Sequence, residues 1–307
     1  MTNSTRLNDG LWIIDLGFQD RHGVIAAYLL ADGNEVVLVE TGPSSTLPSL
    51  IRGINDAGFA VRDLMAAFVT HIHLDHAGAA GVLARENSDL AVYVHPFGAP
   101  HLVDPAKLIA SATRIYGERM DALWGEIAPV PEPQVRPLAD GETIAIAGRT
   151  LTAIFTPGHA DHHIAYGDAA AGDVFTGDVG GIRMPSTAYV CAPTPPPELD
   201  PPAWAQSVAR LQTLNARRLL LTHYGPFEDV AFHLAQVLPH LDDFLAIADA
   251  ALARGADQED LTGLLHDRMA VELGNVPAET LVNLEWATPS YMAALGLTRY
   301  ITKRAKA

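Results

Sequence analysis

Between Thr70 and Gly78 the chain reads Thr-His-Ile-His-Leu-Asp-His-Ala-Gly. Three imidazoles and a carboxylate within six positions are hard to satisfy by packing alone, because each buried polar group needs a partner. The preceding apolar run, Leu64 to Val69, has the length of a buried strand, and the small residues from Ala77 to Arg85 suit a helix. The four polar side chains are therefore expected on a turn between a strand end and a helix start. Alternation along the chain puts His71 and His73 on one side, where both can reach one cation. Asp75 and His76 follow the turn and face elsewhere, so one loop offers two half-sites and suggests two ions.

Three further loops carry residues of the same type. Thr156-Pro157-Gly158-His159, Thr176-Gly177-Asp178 and Leu221-Thr222-His223-Tyr224-Gly225 each follow an apolar run of strand type. Taken in this order with His-x-His-x-Asp-His, they resemble the motifs of the metallo-β-lactamase superfamily over roughly residues 10 to 225. The resemblance implies an α/β fold, an αββα sandwich with ligands at strand ends. It implies one ion held by His71, His73 and His159, a second held by Asp75, His76 and His223, and Asp178 between them. Glu40 stands where the family usually has a bracing Asp outside the ligand shell, and is expected to support the metal loop. The cofactors expected are two divalent cations, zinc first, with iron and manganese also suited to a mixed N/O ligand set.

The rest of the chain reads around these motifs. Leu11 to Leu16, Val24 to Ala31 and Glu35 to Val39 suit strands, with Asp32-Gly33-Asn34 as a hairpin turn. A helix is expected from about Ser45 to Ala57 and a strand from Leu90 to Val94. Residues 97–130 read as a helical insertion opened by Asp104-Pro105. Within it Tyr116, Met120 and Trp124 lie four apart, which predicts an apolar stripe on one helix face, packed on the core or walling a substrate pocket. Pro129 to Pro137 reads as a crossover to a second half with strands at Glu142 to Ala147, Leu151 to Phe155 and His163 to Tyr166. Gly180 to Pro202 is a long Pro-rich loop leaving from Asp178. Such loops are usually functional, so it is expected to rim the site, with Arg183 and Tyr189 as its candidate substrate contacts. Asp200-Pro201 should cap a helix. After Pro226 no β pattern is expected, only three helices at Phe227 to Arg254, Gln258 to Leu273 and Pro277 to Leu295. The domain reading is a catalytic unit over 1–225 and a helical C-terminal segment over 226–307.

Of the 13 histidines, five fit the ligand pattern. The family resemblance makes His163 a non-ligand. His22 could line the pocket, and His95, His101, His233, His240 and His266 read as packing or surface residues.

Composition narrows the function. A net charge of -16 works against nonspecific binding to nucleic acid or anionic membranes. No apolar stretch is long enough to span a bilayer, and MTNSTRLNDG lacks the features of a signal peptide. The single Cys191 excludes an intrachain disulfide and fits a reducing compartment. The expected setting is cytoplasmic, with a small-molecule substrate, neither nucleic acid nor membrane as partner, and a homodimer allowed. The family resemblance is strongest to the glyoxalase II-like branch, which has seven ligands and a helical C-terminal addition. It implies a dinuclear hydrolase, with Asp75 catalytic, in which a metal-bridging hydroxide attacks a thioester, ester or lactone carbonyl. The alternatives are a mononuclear iron oxidoreductase of the persulfide-dioxygenase kind, a phosphodiester hydrolase, and a non-catalytic binding protein.

Overall fold

The computed structural model describes residues 3–306. Seven strands form the first sheet in sequence order: β1 (Ser4–Asn8), β2 (Leu11–Asp15), β3 (Ala26–Asp32), β4 (Glu35–Val39), β5 (Leu64–Phe68), β6 (Ala91–Val94) and β7 (Val135–Pro137). Six form the second: β8 (Thr143–Ile146), β9 (Arg149–Phe155), β10 (Ile164–Asp168), β11 (Asp173–Phe175), β12 (Arg218–Leu221) and β13 (Gly225–Phe227). Pairing is antiparallel from β1 to β4 and parallel from β4 to β7; in the second sheet only β11 and β12 run parallel.

Period-two side-chain alternation builds the layers. In β3 and β4, Ala26, Tyr28, Leu30, Val37 and Val39 face a core between the two sheets. Their neighbours Ala27, Leu29, Val36 and Leu38 face outward into a second core. That outer core is closed by α1 (Leu47–Asp56), α2 (Leu74–Ala77), α3 (Ala80–Glu86) and the insertion α4 (Ala99–Val103), α5 (Ala106–Tyr116) and α6 (Met120–Trp124). The second sheet's outer face packs on α7 (Pro201–Thr213), α8 (Val230–Ala253), α9 (Gln258–Leu273), α10 (Ala278–Ala287) and α11 (Ser290–Arg304). The αββα sandwich expected from the motifs is the architecture observed.

Polar contacts stitch the sheets together beside the motif loops. The Tyr28 hydroxyl donates to the Leu221 carbonyl at 2.6 Å, and the Tyr166 hydroxyl to that of Val69 at 2.9 Å. Backbone bonds from Ile164 N to Thr70 O (2.7 Å) and Ala26 N to Thr222 O (2.9 Å) join the same edges.

Several local expectations are corrected. The apolar stripe is not on one helix: Gly117 takes a φ of +54° and breaks the chain between α5 and α6. Tyr116 and Trp124 still meet, with ring centroids 5.0 Å apart. The supposed crossover contains β7, and β13 continues the sheet past His223. Pro289 divides the last helix in two, because a proline cannot donate into a helix interior and disfavours helix just before it. β1 was not legible, since its Ser4–Asn8 run is polar and half-exposed.

At the sheet end opposite the motifs, Asp173 accepts two bonds from Arg218, at 2.9 and 2.8 Å, with Arg149 at 3.7 Å. Both Asp173 and Arg218 are buried. Removing one partner of a buried pair leaves an uncompensated charge. Asp173→Ala should therefore destabilise the fold by about 3–5 kcal/mol in denaturant unfolding, and Asp173→Leu combined with Arg218→Met should recover much of that loss.

Candidate metal centre

Every motif residue sits just past the C-terminal end of a strand. Glu40 follows β4, the His71–His76 loop follows β5, His159 follows β9, Asp178 follows β11 and His223 follows β12. The chain turns immediately after His73, whose carbonyl accepts from His76 N (3.1 Å) and Ala77 N (2.9 Å) and so starts α2. Gly177 must be glycine for two reasons. Its φ is +50°, and a Cβ there would lie 2.6 Å from His163 Nε2 and 2.7 Å from Thr70 Oγ1.

Seven side chains converge. His71 Nε2 lies 2.9 Å and His159 Nε2 3.0 Å from His73 Nδ1. On the other side, His223 Nε2 is 3.5 Å from Asp75 Oδ2, and His76 Nε2 is 3.8 Å from the same oxygen. Asp178 stands between the groups: Oδ2 is 3.3 Å from His159 Nε2, while Oδ1 is 3.2 Å from His76 Nε2 and 3.6 Å from His223 Nε2. Three overlapping groups of possible ligands result: His71-His73-His159, His71-His76-Asp178 and Asp75-His76-His223.

The distal ring nitrogens explain why the proximal ones are free. His159 Nδ1 donates to the Pro193 carbonyl (3.0 Å) and His223 Nδ1 to that of Val24 (2.8 Å). His71 Nδ1 meets Thr70 Oγ1 at 3.0 Å, and His76 Nδ1 meets Glu40 Oε1 at 2.8 Å. Each bond fixes a tautomer that presents a lone pair at Nε2. His76 Nε2, His223 Nε2 and Asp178 Oδ1 are buried with no hydrogen-bond partner. Buried acceptors facing one another cannot satisfy each other; a cation between them does. The donor set of imidazoles and carboxylates thus fits divalent metal ions.

Electrostatics favours the ligating form in five of the seven groups: His71, His73, His159, Asp75 and Asp178. Burial and the adjacent imidazoles hold His71 well below the usual histidine range and push His73 down to about 3. Burial also lowers His159, against the pull of Asp178. For His76 and His223 burial opposes the charge, but Asp178, with Glu40 beside His76, outweighs it and raises both. Asp75 is lowered to about 2, because its histidine neighbours overcome the effect of burial. The carboxylates stay ionised and the first three imidazoles neutral, as metal ligation requires.

Outside this ring, Glu40 accepts from Thr70 Oγ1 (2.6 Å), Thr70 N (3.2 Å) and Thr222 Oγ1 (3.1 Å) as well as contacting His76. His163 holds Asp178 from behind: its Nε2 accepts from Asp178 N at 3.1 Å, and its Nδ1 meets Thr156 Oγ1 at 2.8 Å.

His73, Asp75 and Asp178 form part of the lining of a cavity of about 480 Å³. Tyr116 and Trp124 of the insertion line it, as do Pro193 and Pro195 to Pro197 of the long loop. The expected contacts Arg183 and Tyr189 do not. Ile182 pairs with Cys191 and folds the start of the loop back, so Arg183 forms a two-oxygen pair with Asp229 (2.8 Å each) over the Phe227 ring. Tyr189 packs on His240 at 5.5 Å. His22 also lies elsewhere, 3.3 Å from Asp15. The sequence reading missed the third wall, where α9–α11 contribute His266, Glu285, Trp286 and Tyr291. An indole in a mixed helical segment was the sole hint of it.

The chain belongs to the metallo-beta-lactamase superfamily: the family's model matches residues 20–223. A metallo-beta-lactamase family protein from Thermus thermophilus superposes with a TM-score of 0.68 at 23% identity, covering 98% of this chain and 95% of that one. An atrochrysone carboxyl ACP thioesterase from Aspergillus fumigatus is 26% identical over 151 residues, 49% of this chain and 38% of that protein. A hydroxyacylglutathione hydrolase from a Synechococcus strain is 32% identical over 116 residues, 38% of this chain and 34% of the relative. The chain therefore spans little more than a third of the length of these two curated relatives. Among the described residues, no helix is long and apolar enough to cross a membrane.

The brace makes a direct prediction. Glu40→Ala removes the acceptor for His76 Nδ1, and metal affinity, measured by chelator competition, should fall about 10–100-fold while the far-UV circular dichroism is retained.

Proposed function

We propose that this chain is a dinuclear metal-dependent hydrolase of thioesters or esters, of the glyoxalase II-like kind. The observation that carries this reading is the position of Asp178, with one carboxylate oxygen toward each histidine group and the whole cluster opening into an apolar cavity. That arrangement supports two ions over the mononuclear alternative. The thioester class is further supported by relatives named as a thioesterase and a hydroxyacylglutathione hydrolase.

His71, His73 and His159 would hold one ion, and Asp75, His76 and His223 the other, with Asp178 shared. When bound, such a pair supplies an acidified water and an electrophile for the scissile carbonyl. The protein's own groups do the rest. Asp75, ionised and at the cavity wall, orients the attacking water through a hydrogen bond. Pro193 O and Val24 O keep His159 and His223 from turning away. Tyr116, Trp124 and the proline run take up the acyl group and exclude bulk water, so that the polar contacts act in a low-dielectric pocket.

Metal analysis of the purified protein under replete conditions should give about two ions per chain. Asp75→Asn should lower kcat on thioesters about a hundredfold or more, a drop much larger than its loss of metal. One ion per chain, unchanged in Asp178→Ala, would overturn the dinuclear reading; a normal kcat in Asp75→Asn would overturn the role of Asp75.

Trp124 faces the cavity and is also nine-tenths buried, stacked on Phe18 at 5.7 Å. Its truncation should act twice. Trp124→Ala should lose about 3–5 kcal/mol of stability and raise KM for bulky acyl substrates at unchanged metal content. A stability loss with an unaltered KM would remove Trp124 from the substrate site.

A further inference from the structure

The cavity has a second polar feature besides the metal ligands. Arg119, in the short turn between α5 and α6, is the one arginine or lysine among its lining residues. Its guanidinium sits 5.5 Å from the Tyr291 ring centre and donates to the Tyr291 hydroxyl at 3.3 Å. No carboxylate lies within ion-pair distance of it among the described residues, although the chain carries 36 Asp and Glu against 20 Lys and Arg. The nearby Glu285 is already engaged, accepting from His266 Nδ1 (2.9 Å), Ser290 N (3.1 Å) and the Ser290 hydroxyl. Tyr116 stands within electrostatic reach of both Asp75 and Arg119: burial raises its hydroxyl, Asp75 adds to the rise and Arg119 opposes it.

The geometry points to Arg119, steadied by Tyr291, as a specificity residue for an anionic group carried by an otherwise apolar thioester or ester. This rests on the hydrolase reading above and names its substrate class. The cavity then has three zones. The metal ligands take the scissile carbonyl, the Tyr116–Trp124 wall takes apolar chain, and the free guanidinium takes a carboxylate or phosphate in its planar fork. On a chain of net charge -16, a cation at the cavity wall without a carboxylate partner favours an anion at that point of the wall.

The anion could sit on the acyl side or on the leaving thiol, and two pairs of thioesters separate these. The first pair compares octanoyl with 7-carboxyheptanoyl thioesters of N-acetylcysteamine. The second compares octanoyl thioesters of N-acetylcysteamine and of 3-mercaptopropionate. In the metal-loaded protein, the charged member of one pair should have kcat/KM about tenfold higher, the size of one charge-assisted hydrogen bond. Arg119→Met should abolish that preference and leave the neutral octanoyl substrate within about twofold of its original value, because Arg119 is solvent-exposed and removing it leaves no buried partner stranded. No preference in either pair, or a preference that survives in Arg119→Met, overturns the proposal.

A binding measurement separates this from the hydrolase reading. The thioethers S-octyl- and S-(7-carboxyheptyl)-N-acetylcysteamine cannot be hydrolysed, and Trp124 and Trp286 in the cavity wall report on them by fluorescence. Tighter binding of the acid that is lost in Arg119→Met, with no thioester turned over, sustains the anion subsite and sinks the hydrolase. Turnover of all the thioesters without regard to charge does the reverse.

Discussion

A single buried carboxylate lies under everything the site does. Glu40 is 1% exposed and takes hydrogen from residues that follow β5 and β12, one in each sheet. It therefore joins the two halves of the sandwich at the edge where the metal loops emerge, and at the same time fixes His76. Its backbone sits at a φ of +68°, a left-handed conformation that costs a non-glycine residue of the order of 1 kcal/mol or more and persists only where surroundings impose it. Three donors to one carboxylate are such an imposition. The brace adds to the backbone bonds that hold the loops after β5 and β12, Ile164 N to Thr70 O and Ala26 N to Thr222 O.

The rest of the centre repeats that logic with two backbone carbonyls and a hydroxyl. Pro193, Val24 and Thr70 each fix the outward nitrogen of a histidine, so the inward nitrogens are aimed before any cation arrives. Burial keeps His71, His73 and His159 neutral, and the neighbouring histidines keep Asp75 and Asp178 ionised. The cost of burying such groups without partners is what makes the cluster select for metal ions. His163 shows that a buried histidine at this centre need not be a ligand: both its nitrogens are used to position Asp178 and Thr156.

The cavity above the histidine–aspartate cluster is assembled from three segments far apart in the chain. The insertion supplies the aromatic wall, the second half of the Pro-rich loop supplies a rigid rim, and α9–α11 close the remaining side. The first half of that loop is folded away by the Ile182–Cys191 pair, and this takes Arg183 and Tyr189 with it. The break at Gly117 sets Arg119 in the turn between α5 and α6, where it lines the cavity.

What the sequence determined by itself was local and chemical. Strands ending in His-x-His-x-Asp-His, His159, Asp178 and His223 could be read because apolar runs have strand length and ligand-type side chains are conspicuous where packing cannot satisfy them. The αββα layer order was implied by the family resemblance, and the structure shows that neighbours such as Tyr28 and Leu29 face different cores. The tertiary structure alone decided which side chains share a cavity. Arg183 looked suited to a substrate because it leaves from a ligand, yet a partner 46 positions away, Asp229, claims it. His266 read as a packing or surface residue and Arg119 drew no reading at all, yet both line the cavity between the insertion and α9–α11. Spacing along a chain reports on neighbours within a turn or a strand. It carries no information on contacts such as Arg119 with Tyr291, 172 residues apart, which form only once the cores have set the helices in place.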